Sequence, residues 1–228
     1  MRTSFSPPGL PPRSGARTLA ALLFVALYVV ALGTADGRRI DSDPIEYDVG
    51  SGPVVRALHD LLDPITWLTM GAASVLIVVW AYRRRGAGGA IRFAGAMTGA
   101  YVSLIVFEVL LQRVDPVGGE TLRRLGEGSY PSGHATAVAV LALTAVTLAP
   151  RRARPLAAVA AGGFVVLVGV ALVVIHAHYP SDVLGGWLLA FVWCAGVATP
   201  APCRTRARKL PWRRPPSARG GAVPRARG

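Results

Sequence analysis

The chain has 228 residues, 52% of them hydrophobic, a mean hydropathy of +0.44 and a formal net charge of +13. That balance excludes a disordered polar chain and points away from a water-soluble domain toward segments that cross a bilayer. The charge alone fits nucleic acid as well as a membrane surface, and its distribution along the chain separates the two.

Residues 1–17 are rich in Pro and Gly and read as a disordered tail. The first apolar run, Thr18–Ala35, is longer than a secretory h-region, and the following "DGRR" lacks a small-residue cleavage site, so a retained helix is predicted. In residues 36–63, Val54, Val55, Leu58, Leu61 and Leu62 recur near helical spacing and predict a short interfacial helix. His59 on that helix reads as a solvated interfacial histidine. Spans two and three are Ile65–Tyr82 and Ile91–Leu111. Glu108, one turn inside the end of span three, either faces a partner in the bundle or snorkels outward. Residues 112–134 end in "YPSGH", directly before the fourth run, Ala135–Ala149. The fifth run, Leu156–Ile175, is followed by "HAHYPSD" and then by the sixth, Val183–Ala198. None of these runs alternates apolar with polar residues, which excludes strands of a membrane barrel. The predicted fold is an all-α, six-span membrane domain over residues 18–199, followed by a disordered basic tail, 200–228.

Of the 25 Lys and Arg residues, 19 lie in the N-terminal tail, the links between spans two and three and between four and five, and the C-terminal tail. The positive-inside rule assigns these segments, with both termini, to the cytoplasm. All 12 acidic residues fall in or beside the opposite segments. The basic tail therefore reads as attracted to anionic lipid, and no nucleic-acid partner is expected. Cys194 and Cys203 match no disulfide or metal pattern, and no inverted repeat points to a transporter.

Polar chemistry gathers at the outer ends of the later spans. Pro131 and Gly133 force a tight approach to the fourth span, leaving the N–H groups of Ser132, Gly133 and His134 at a helix start, where they can cradle a phosphate. An ordinary Ser/Gly cap explains the serine and glycine but not the histidine. At the next hairpin Tyr179-Pro180 breaks the helix, Ser181 can cap the one that follows, and Asp182 can accept a hydrogen bond from His178. A polar hairpin with a favourably placed aspartate remains an alternative at this point. A metal site would need His176 with His178, Asp182 and His134, but His176 and His178 are two residues apart and face different directions. Two histidines, a carboxylate and a phosphate cradle are the parts phosphoryl transfer requires.

"PSGH" (Pro131–His134) and "HYPSD" (His178–Asp182), one hairpin apart in a six-span chain, resemble the type 2 phosphatidic acid phosphatase superfamily, which includes lipid phosphatases and vanadium haloperoxidases. Its motifs are K-x6-R-P, P-S-G-H and S-R-x5-H-x3-D. The resemblance implies His178 as nucleophile, Asp182 as its orienting partner and His134 as general acid, with Ser132 and Gly133 binding phosphate. It implies a lipid phosphate or isoprenoid diphosphate substrate, no metal or other cofactor, and a plasma-membrane enzyme with an extracytoplasmic site. Two departures stand out. Leu172 and Ala171 replace the Arg and Ser of the third motif, and "LLQRVDPVGGE" replaces the first. Arg113, Arg123 and Arg124 either substitute for the lost phosphate clamp or pair with Asp115, Glu120 and Glu127. A non-catalytic relative that binds lipid head groups or a membrane partner is the competing reading.

Overall fold

A computed structural model describes residues 13–42, 52–111 and 130–197, and every regular element among them is a helix. In chain order these are α1 (Arg13–Ala31), α2 (Ala35–Ser42), α3 (Pro53–Leu62), α4 (Trp67–Leu110), α5 (Gly133–Leu148), α6 (Arg154–Val174) and α7 (Pro180–Cys194). The predicted interfacial helix appears as α3, opened by Pro53, whose missing N–H costs nothing in a first turn. Residues 13–17, read as part of the N-terminal tail, form the first turn of α1, while residues 1–12, the basic tail 200–228 and Arg113, Arg123 and Arg124 lie outside the described residues.

Among the described residues α1, α4 and α6 are long and apolar enough to cross a membrane, while α5 and α7, with 16 and 15 residues, are apolar but shorter. At 1.5 Å per residue, α5 and α7 reach only about 24 and 22 Å. Helix α4 has 44 residues, about 66 Å if straight, roughly twice a hydrocarbon core. It is interrupted at Gly86, whose φ of 70° and ψ of −173° leave the helical region, so the link between predicted spans two and three is nearly all helix. Outward faces of α1, α4 and α6 expose large apolar side chains, including Leu22, Leu76 and Val159, as lipid-facing helices do.

Helix α5 is the hub, packed against α4, α6 and α7, while α1 closes on the far side of α7. Small residues permit this crowding. A Cβ on Gly186 would sit 2.8 Å from Thr136 Oγ1 and 2.9 Å from the Ser132 carbonyl oxygen, so α5 and α7 touch backbone to backbone there. Gly185 accommodates the Tyr130 ring and Gly169 the Trp187 ring in the same manner.

Where α5 and α7 end, arginines cover their free carbonyls. Arg85 donates to Thr147 O at 2.7 Å and to Val197 O at 3.3 Å, and Arg154 donates to Thr147 O and Ala149 O at 3.3 Å each. Arg92 reaches Gly196 O at 3.0 Å, and Arg17 Nε reaches Val192 O at 2.9 Å. Cations at helix C-termini complement both the orphan carbonyls and the dipole. Arginines that the sequence marks only as topological signals thus also tie α1, α4 and α6 to the ends of α5 and α7.

Candidate active site where alpha5 and alpha7 begin

The opposite ends of α5 and α7 come together. The Ser132 N–H donates to the Asp182 carbonyl at 2.9 Å, joining the "PSGH" turn to the first turn of α7. Tyr130, wholly buried, fixes the approach: its hydroxyl donates to Phe24 O at 2.9 Å and its ring lies 5.0 Å from that of Phe24. The Tyr130–Pro131 peptide is cis.

Ser132 caps α5, its Oγ accepting the Ala135 N–H at 3.4 Å. Because its own N–H serves Asp182 O, the predicted three-residue cradle narrows to the first-turn N–H groups of Gly133 and His134. Gly133 is hemmed in: a Cβ there would lie 3.2 Å from both Glu108 Oε1 and the Trp67 ring. Glu108 therefore turns inward, against the start of α5, rather than snorkelling away.

His178 reaches the same place by a different route. Helix α6 ends in a Schellman motif, with Ala177 N donating to Leu172 O at 2.9 Å and His176 N to Val173 O at 3.0 Å. Its left-handed residue is His176, at φ 59°, a position usually held by glycine. His176 is exposed, and its contribution is this backbone turn. The His178 N–H also donates to Leu172 O, at 3.1 Å, and its side chain is 6% exposed.

Asp182 is fully buried behind His178, as the i, i+4 spacing predicts. The details differ from expectation. His178 Nδ1 stands 3.7 Å from Asp182 Oδ2, too far for a hydrogen bond, and Nδ1 has no acceptor among the described residues. Asp182 Oδ2 instead accepts the Tyr179 N–H at 3.1 Å, so Asp182 reaches back to close the start of α7. Ser181, predicted to cap α7, lies inside its first turn and is itself held. Its N–H donates to Asp41 Oδ1 at 2.9 Å and its hydroxyl to Asp41 Oδ2 at 2.6 Å. No local pattern in the sequence links Asp41, on α2, to a partner 140 residues away.

His134 and His178 open into one cavity of about 440 Å³. Leu172, Ile65, Trp67 and Thr66 complete much of its wall, with His59 and Asp63 at the side formed by α3. The His134 ring faces the Ile65 carbonyl and lies 6.5 Å from the Trp67 ring. His59, read from sequence as a solvated interfacial residue, is indeed exposed but borders this cavity. Leu172, 3% exposed, belongs to an apolar cluster with Leu62, Ile65, Ala135 and Val183. The position where the resemblance calls for a cation is therefore built into a hydrophobic seam. No three His, Cys, Asp or Glu side chains among the described residues group as metal ligands.

A sequence model of the PAP2 superfamily matches residues 66–202. Among solved structures, the chain resembles a transmembrane PAP2-type phosphatidylglycerolphosphate phosphatase from Bacillus subtilis, with a TM-score of 0.64 at 20% identity. That similarity covers 79% of this chain and 93% of the other. At such identity it speaks to the fold. No curated protein sequence matches the chain.

Proposed function

The chain belongs to the PAP2 superfamily, and we propose that it is a membrane phosphohydrolase releasing phosphate from a lipid phosphate or polyprenyl diphosphate. The observation that carries this reading is the meeting of His134 and His178 in one cavity, with Asp182 buried behind His178. Nδ1 of His178 faces Asp182, so Nε2 carries the lone pair toward substrate. His178 Nε2 attacks phosphorus and the bond from phosphorus to the leaving oxygen breaks, while His134 gives that oxygen its proton. Water then attacks the phosphohistidine, His134 takes the water's proton, and inorganic phosphate leaves with the histidine restored. The first-turn N–H groups of Gly133 and His134 hold the phosphoryl oxygens. A shift of less than about 1 Å brings Nδ1 into hydrogen-bond range of Asp182, a tightening typical of sites that close on substrate. Every step of this reading uses protein side chains and water and calls for no metal.

A second cavity supports a lipid substrate. An apolar groove of about 500 Å³ runs between α4, α5 and α6, and its Met70 also borders a small cavity beside His134. An acyl or prenyl chain in that groove would leave its phosphate near the histidines. Counting α4 as two spans divided at Gly86 supports a six-span reading, and the positive-inside rule then favours cytoplasmic termini and a site at the outer face of the plasma membrane. Phosphate release from a panel of lipid phosphates in detergent, with and without chelator, tests the reading. The expected result is chelator-resistant release, abolished by His178→Ala; full turnover of that variant rejects it. Leu172 favours one competitor, a lipid-binding relative without catalysis, for which binding without phosphate release is the signature.

A further inference from the structure

The hydrophobic seam around Leu172 raises a question of charge. A phosphate brings up to two negative charges into the cavity, and removing a charge-assisted contact to it costs affinity. Leu172, on the cavity wall, offers none, and it shares an apolar cluster with Leu62 and Ile65. These same contacts dock α3. Leu58, Leu61 and Leu62 of α3 all pack on the cluster that contains Leu172. Docked in that way, α3 turns His59 and Asp63, one helical turn apart, toward the cavity that His134 and His178 share.

We propose that His59 is a substrate-binding residue that supplies a phosphate contact in place of the cation missing at Leu172. The apolar side chain at 172 and the histidine at 59 are two parts of one exchange: the leucine gives α3 a surface to dock on, and α3 brings an imidazole to the cavity wall. This inference rests on the reading of the site as a phosphate site. An imidazole can donate one hydrogen bond when neutral and two when charged, so it suits an anion at a solvent-accessible edge. Among the cavity's lining residues His59 is the third imidazole, beside those of His134 and His178. It is exposed and is not one of the leucines that dock α3, so replacing it leaves those leucines in place.

The test separates binding from turnover. In the His178→Ala background, equilibrium binding of dioctanoyl phosphatidic acid in detergent is compared for His59, His59→Ala and His59→Arg. His59→Ala is expected to weaken binding about tenfold and His59→Arg to restore it. Inorganic phosphate as competitor should lose affinity by a similar factor, locating the effect at the head group. In the catalytically intact chain the same substitution should raise KM while leaving kcat within about twofold. Equal affinity in His59 and His59→Ala overturns the proposal, as does a loss that His59→Arg does not repair. Absence of phosphate release from the unmodified chain would count against the phosphatase reading alone, because the binding series does not require turnover.

Discussion

Helices α5 and α7 have two ends with opposite characters. At their C-terminal ends, four arginines from α1, α4 and α6 engage the terminal carbonyls, leaving a closed, well-satisfied surface. At their N-terminal ends the carbonyl of Asp182 and the cap at Ser132 stitch the helices together, yet among the described residues His178 Nδ1 has no acceptor, and His134 opens onto a cavity. Polar side chains buried in a membrane domain are ordinarily satisfied. The contrast separates two uses of polar groups: one end uses its charges to finish the fold, and the other leaves hydrogen-bonding capacity that the proposed reaction would use.

Substitutions at the two ends should therefore fail in different ways. The largest effect is expected from His178→Ala, a loss of at least about a thousandfold in turnover with thermal stability nearly unchanged, measured by phosphate release and melting in detergent. His134→Ala should cost about a hundredfold or more on an alkyl phosphate but far less on p-nitrophenyl phosphate, whose leaving group needs no proton. An equal loss on both substrates would remove His134 from the role of general acid. At the other end, Arg85→Ala takes a hydrogen bond from Thr147 O and Val197 O. A stability loss of about 1–2 kcal/mol is expected, with kcat and KM of the folded fraction unchanged. The smallest effect belongs to His176→Gly, which relieves a left-handed backbone and should raise stability by up to about 1 kcal/mol without altering activity.

The sequence makes the apolar runs and the two motif turns legible because both depend on local order. Helical spacing of Val54, Val55, Leu58, Leu61 and Leu62 marks the segment that forms α3. Proline and glycine mark the start of α5, and the i, i+4 spacing of His178 and Asp182 correctly places them side by side. What the spacing does not contain is distance and competition. Asp182 lies near His178 but bonds to the Tyr179 N–H, because the first turn of a helix also needs acceptors. Asp41 and Ser181 meet only through the tertiary fold, as do Glu108 and Gly133. His59 illustrates the same limit: its helix is readable as amphipathic, whereas the surface that receives its apolar face is set by Leu172, far along the chain. The glycines after Asp182 carry a packing signal whose partners, Thr136 and Tyr130, appear only when α5 and α7 are brought together.

The proposed mechanism passes through a covalent intermediate, and rapid acid-free quenching with a 32P-labelled lipid phosphate tests that step directly. The account predicts a base-stable, acid-labile phosphoenzyme that forms and decays at rates compatible with turnover, carries its label on His178 and disappears in His178→Ala. Steady phosphate release with no labelled protein, or label that persists in His178→Ala, would contradict it.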